Sequence, residues 1–331
     1  MYAHIVNMSI HNEGDMIHAR RALLPEGWVR DLRMSVAGGR IAGLASGAAA
    51  EPGDIRVDML LPAIPNLHSH TFQRAMAGLT EHRVQGRESF WTWREVMYRF
   101  LDRLTPEDIQ VIAAQAFVEM LEAGFASVAE FHYVHHQPGG AAYADPAELS
   151  ARIIAAASDA GIGLTHLPVL YSYGGAAMLP LAGGQLRFGN DVDSFARLLD
   201  AVRGHGSDMP ADTVVGIAPH SLRATSPDDL GRALPLANGG PVHIHIAEQP
   251  AEVEAISGWL GARPVEWLLA NAPVGPDWCP IHATHMTADE TERLARSGAV
   301  AGLCPITEAN LGDGPFNGPG WIGEGGAFGL G

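Results

Sequence analysis

From Met59 onward, apolar runs of strand length recur along the chain, each followed by a polar loop and an amphipathic stretch. The runs are MLLPAIPNLHSH, FASVAEFHY, IGLTHLPVLYS, DTVVGIAPHS, PVHIHIAEQ, DWCPIHATHM and VAGLCPIT. Between them lie helical stretches such as TPEDIQVIAAQAFVEMLEAG, DPAELSARIIAAASDAG, SPDDLGRALPLAN and TADETERLARSG. Near-continuous apolar strands must be covered on both faces, the condition of a parallel sheet flanked by helices. Each helical stretch opens on Thr, Ser or Asp with an acid in its first turn, which supplies acceptors for unpaired N–H groups. Three end at Gly, which accepts the left-handed conformation at a helix C-terminus. Seven such units, with an eighth strand only beginning at GAFGLG, predict an α/β fold of the (β/α)₈ TIM-barrel type. A doubly wound open sheet is the alternative, because local pattern does not separate closed from open.

Before Met59 the alternation is shorter in range. DLRMSVAGGRIAGLA places a Gly-Gly turn between two strands, so a small β-sandwich-like element is expected over residues 1–58 and the barrel over 59–331. Residues 1–16 carry no pattern that gives them a role.

Sixteen histidines are the compositional outlier, and many fall at predicted strand ends. In a parallel barrel those ends form the mouth where chemistry is done. His68 and His70 close the first strand one residue apart, so strand alternation puts both rings on one face, where they could ligate a single metal. That HxH pair is weak evidence alone. The fifth strand adds His245 near the mouth and His243 a layer deeper, the latter read as a hydrogen-bonded core histidine. Glu248 follows in the loop, where a carboxylate could move a proton between water and a leaving group; the bland reading is a solvated loop acid. The sixth strand adds His282, suited to polarising water or substrate, and His285 at its end. The coincidence of these residues at the first, fifth and sixth strands favours zinc held by imidazoles, one per chain, with iron as the alternative metal.

Composition narrows the partners. The formal charge of −16 argues against nucleic acid and against an anionic membrane. No apolar run reaches the roughly 20 residues of a spanning helix, and the start lacks signal-peptide order, so a cytoplasmic location is expected. Cys279 and Cys304 lie in apolar runs without CxxC spacing and read as buried thiols in a reducing compartment.

The order NLHSH, APHSLR, HIHIAEQ, HATH and CPITEANLGDG resembles the amidohydrolase superfamily. NLHSHTFQRAMAGLTE, FWTWREVMYR and CPITEANLGDG are narrower and resemble its N-formimidoyl-L-glutamate deiminases, from about Ile17 to Gly331. The resemblance implies hydrolysis of a formimino C=N group to N-formylglutamate and ammonia, as in histidine degradation. It makes His68, His70 and His245 the zinc ligands, Glu248 the proton shuttle and His282 the stabiliser of the reacting centre. It assigns Gln73, Arg94, Tyr133, His220 and Arg223 to a small dicarboxylate substrate, and guanidinium groups suit carboxylates because they bind them bidentately. A homodimer is the candidate assembly.

The same resemblance implies a metal-binding Asp directly after GAFGLG. The sequence ends at Gly331, so the eighth strand and last helix are expected to be cut off, with these residues alone lacking a ligand and a base. Two other readings stay open: a deaminase of a ring amine (cytosine, guanine or triazine type) using the same centre, and a non-catalytic barrel fragment.

Overall fold

The computed structural model describes residues 16–79, 97–206 and 209–331. It contains two compact units. The first carries a four-stranded sheet of β1 (Met16–Leu24), β2 (Gly27–Ala37), β3 (Arg40–Ala45) and β4 (Ile55–Leu60), in the order β3-β2-β1-β4. The Gly-Gly turn falls where the sequence puts it. Gly38 and Gly39 both have positive φ (56° and 71°), the backbone a tight two-residue hairpin needs. Ile17, Ala19 and Ala22 of β1 and Leu32, Met34 and Val36 of β2 form its apolar face.

The first barrel strand starts later than the apolar run suggests. Ile55–Leu60 pairs parallel with β1, and β5 begins only at Ile64. The proline at position 62 separates the two, since it has no N–H for a ladder.

The second unit carries the parallel sheet of β5 (Ile64–Ser69), β6 (Phe125–His132), β7 (Gly163–Leu170), β8 (Val214–Val215), β9 (Ala218–Pro219), β10 (Val242–Ile246), β11 (Trp278–His282), β12 (Val300–Leu303) and β13 (Ala327–Leu330). β10 to β13 run on through β5, β6 and β7 to β8 and β9. A parallel bridge between Ile217 and Val242 then brings the fourth strand back to β10, with His243 N–H donating to Ile217 O at 3.1 Å. The barrel reading holds, and the open sheet does not.

Two details depart from expectation. The fourth strand is split at Gly216, where a Cβ would stand 2.3 Å from Pro241 O, so only glycine lets the chain pass so close. The eighth strand, expected to be cut off, forms over the residues present: Ala327–Leu330 pairs with β12 and, through Leu330, with Asn66 of β5.

Helices follow the strands, with caps where the sequence predicts them except at the stretch from Asp145, whose helix starts at Glu148 behind Ala147 with no side-chain cap. Ser226 accepts from Asp229 N–H and Thr287 from Glu290 N–H, while Gly161 ends the helix Glu148–Ala160 in the left-handed region. Among the described residues no helix is long and apolar enough to cross a membrane. Both cysteines are free and buried, and burial pushes the Cys279 thiol up to about 12 and the Cys304 thiol higher than usual.

The barrel also buries His132, His135 and His166, whose rings cluster with centroids 5.5 Å apart. Burial lowers all three, His166 to about 3, so each is neutral when folded. The unfolded chain takes up protons on histidine below about pH 6.5, so stability falls with acid between about 6.5 and 3. Each such histidine contributes a slope of roughly 1.4 kcal/mol per pH unit. Glu130, raised to about 7 by burial, acts with the opposite sign and offsets one of them. Urea midpoints should therefore drop between pH 7 and 5, and His166→Phe should flatten the dependence. An unchanged slope in that variant would show that His166 does not set it.

Candidate metal centre

His68 is the last but one residue of β5, with its ring turned inward, and His70 lies one residue past the strand. His245 comes from β10, whose five residues are all buried. The three Nε2 atoms converge: His68 lies 3.0 Å from His70 and 3.1 Å from His245.

The outer ring nitrogens explain why. His70 Nδ1 is 2.9 Å from Phe131 O, and His245 Nδ1 is 3.2 Å from His220 O. A carbonyl only accepts, so both Nδ1 atoms carry the proton and both Nε2 atoms present lone pairs to the shared centre. His68 Nε2 can donate to only one of them, and its buried Nδ1 has no partner. Burial is the main reason all three rings stay neutral, with His70 held down to about 4 and the other two well below the ordinary range. Neutral imidazole is the form that binds metal. Nitrogens at roughly 2.0–2.1 Å from zinc stand roughly 3.3 Å apart at tetrahedral angles, so the observed separations fit a single cation.

Phe131 closes one side of this cage, 4.4 Å from the His245 ring centroid. On another side lies His282, nearly parallel to His245 at 5.5 Å. His282 Nε2 is 3.6 Å from Glu248 Oε1, and its Nδ1 is 3.1 Å from Glu308 Oε1. Burial alone would lower His282, but the carboxylates of Glu248, Glu308 and Asp313 outweigh it and raise the ring above its usual value. The strand ends here are bent sharply. Ala247, His282 and Ala283 have φ of 49°, 68° and 47°, a left-handed backbone that costs free energy outside glycine.

The residues assigned to substrate fall into two groups. Gln73 Nε2 donates to Tyr133 Oη at 2.8 Å, and Tyr133 stands edge-on to His70 at 4.8 Å. His220 lies 4.9 Å from His245 and 6.1 Å from Tyr133. Arg223 donates from Nη2 to Glu248 Oε2 at 3.3 Å, so in this structure it faces the proposed proton carrier. These four surround the cage. Arg94 and the FWTWREVMYR motif up to Val96 lie outside the described residues. His243 is buried in a deeper layer as expected, held down to about 3 by burial, but its Nδ1 has no hydrogen bond.

Several acids at the site were not singled out from sequence. Glu130 accepts from Thr71 N–H and Oγ–H at 2.9 and 2.8 Å, locking the turn that follows His70. Glu252 accepts from the N–H groups of Ala247 and Glu248 at 3.2 and 2.9 Å, which holds the bent end of β10. Asp313 sits between Gly312 and Gly314, both with positive φ, and burial and Glu248 raise its carboxyl. The available signal was an acid in the first turn of the helix after a strand, which Glu252 and Glu308 share.

Comparison with known proteins agrees with the geometry. Residues 15–58 match the family model described as formimidoylglutamate deiminase HutF, N-terminal domain. Residues 59–328 match the amidohydrolase family. The chain is 51% identical to a formimidoylglutamate deiminase of Pseudomonas aeruginosa over 317 residues, covering 95% of this chain and 70% of the relative. It is 25% identical to an 8-oxoguanine deaminase of the same species, covering 83% of this chain and 61% of that protein. The crystal structure of an amidohydrolase from Brucella melitensis superposes with a TM-score of 0.93 at 49% identity, over 96% of this chain and 70% of that one.

Proposed function

The chain belongs to the amidohydrolase family, in its formimidoylglutamate deiminase branch, and from that membership we propose that it hydrolyses N-formimidoyl-L-glutamate to N-formyl-L-glutamate and ammonia. The observation that carries the reaction type is the convergence of three imidazole Nε2 atoms, two with tautomers fixed by carbonyls, beside a Glu–His pair. The choice of substrate draws on the Pseudomonas relative and on Arg223 beside the cage.

His68, His70 and His245 would hold one divalent cation, with zinc preferred for an all-imidazole set and iron as the alternative. Such a cation supplies Lewis acidity and makes water a nucleophile at neutral pH. Glu248 accepts a proton from the attacking water and delivers it to the departing nitrogen, so water adds to the formimino carbon as the C–N bond to ammonia breaks. His282, facing Glu248 through Nε2, donates to the oxygen that gains charge. Arg223, together with Arg94, neutralises the carboxylates of the glutamate moiety, while Gln73, Tyr133 and His220 line the space between.

Arg223→Met tests the substrate assignment. A charge-assisted hydrogen bond is worth roughly 1.5–3 kcal/mol, so kcat/KM on formimidoylglutamate should fall about 10- to 150-fold. The loss of its contact to Glu248 would affect every substrate alike. Loss of a carboxylate grip would affect formimidoylglutamate and spare an analogue with both carboxylates amidated. Equal losses on the two compounds, or faster turnover of a ring amine by the parent protein, would remove the glutamate assignment.

A further inference from the structure

We propose that Glu308 is a positioning residue for this hydrolysis: its carboxylate, anchored on the Cys304 amide, fixes the His282 ring so that Nε2 faces Glu248 and the imidazole cage. The inference rests on the reading of His282 as a group that acts at the reacting centre.

Glu308 lies on the short helix Pro305–Leu311 that follows β12, and it is buried. A single oxygen, Oε1, accepts twice: from Cys304 N–H at 2.9 Å and from His282 Nδ1 at 3.1 Å. The first bond ties that oxygen to the main chain at the end of β12. The second therefore holds the imidazole to a fixed point rather than to a mobile side chain.

His282 needs such a hold. It has φ of 68° and is followed by Ala283 at 47°, so ordinary strand geometry does not aim its ring. A carboxylate only accepts, so Nδ1 carries a proton toward Glu308, and Nε2, turned to Glu248 Oε1 at 3.6 Å, is left to donate its own. The arrangement is a carboxylate orienting an imidazole, which in turn meets the proton carrier.

A competing use of the same atoms is a second cation site, since donor atoms of His282, Cys304 and Glu308 lie within 4.8 Å of one another. Two observations weigh against it. His282 Nδ1 and Glu308 Oε1 are already joined by a hydrogen bond, and burial pushes the Cys304 thiol up, which keeps its proton in place at neutral pH.

The test uses the zinc-loaded full chain with Glu308→Ala and Glu308→Gln. Outer partners of site histidines are typically worth about 10- to 100-fold. Glu308→Ala should lower kcat by that factor with KM within about threefold and zinc content unchanged. Glu308→Gln keeps an oxygen that can accept both bonds and should recover most of the loss. The proton–nitrogen-15 spectrum of selectively labelled His282 should show a hydrogen-bonded Nδ1–H in the parent and in Glu308→Gln, and its loss in Glu308→Ala. A kcat within threefold of the parent in Glu308→Ala would overturn the proposal, as would an unchanged Nδ1–H signal there. So would a second zinc per chain that disappears in Cys304→Ala. That signal is read without substrate, so a parent enzyme inactive on formimidoylglutamate would refute the functional reading and still leave Glu308 tested.

Discussion

Glu248→Gln is expected to lower kcat on formimidoylglutamate by about 10²- to 10⁴-fold, the usual contribution of a positioned proton carrier. The amide matches the carboxylate in shape and keeps an oxygen for the Arg223 contact at 3.3 Å, so the neighbourhood should not collapse. What disappears is the ability to take a proton at neutral pH. KM and metal content should therefore stay near those of the parent. The backbone at position 248 is held independently, because Glu252 accepts its N–H. Steady-state kinetics with elemental analysis on the same preparation checks the expectation. A kcat within a few-fold of the parent would leave Glu248 a bystander and pass the proton role to another buried acid, with Asp313 the first candidate.

His245→Ala should have an effect of comparable size by a different route. It removes one of three converging lone pairs, and with it the ring that stacks on His282 and borders His220. Changing a partner of a ligand usually costs about 10- to 100-fold in metal affinity, and removing a ligand should cost more. After dialysis against a weak chelator the variant should hold much less than one equivalent of metal, and activity should fall in proportion. Added zinc should restore part of it. Unaltered occupancy would exclude His245 as a ligand. The two variants are distinguishable because Glu248→Gln keeps its metal and loses turnover, whereas His245→Ala loses both.

The barrel could be read from the sequence because it depends on repetition. Seven apolar runs between capped helices leave few folds available, and hydrogen-bond caps such as Ser226 and Thr287 sit where the pattern puts them. The cage was legible for a related reason: His68, His70 and His245 stand at strand ends, and strand ends converge in a barrel. Departures occurred where a single residue or a tertiary contact decides. Gly216 splits the fourth strand because the chain passes against Pro241, a neighbour no local window contains. Ile55–Leu60 joins the small sheet because β1 is there to pair with it. Glu130, Glu252, Glu308 and Asp313 looked like ordinary acids, and three of them like favourable first-turn or strand-end residues. Their burial comes from the packing of the barrel, and some of their partners lie far away in sequence, as with the 59 positions between Thr71 and Glu130 and the 26 between His282 and Glu308. Arg223 was placed near substrate by resemblance, and its contact to Glu248 was not foreseeable from spacing.

The two cysteines extend the picture to motion. With the Cys279 thiol pushed to about 12 and both sulfurs sealed inside the wall, almost no reactive thiolate exists in the closed barrel. An alkylating reagent can then reach them only when β11 or β12 parts from its neighbours. The pace of labelling becomes a clock for the opening of that side of the barrel, next to His282 and Glu308, with no probe to install.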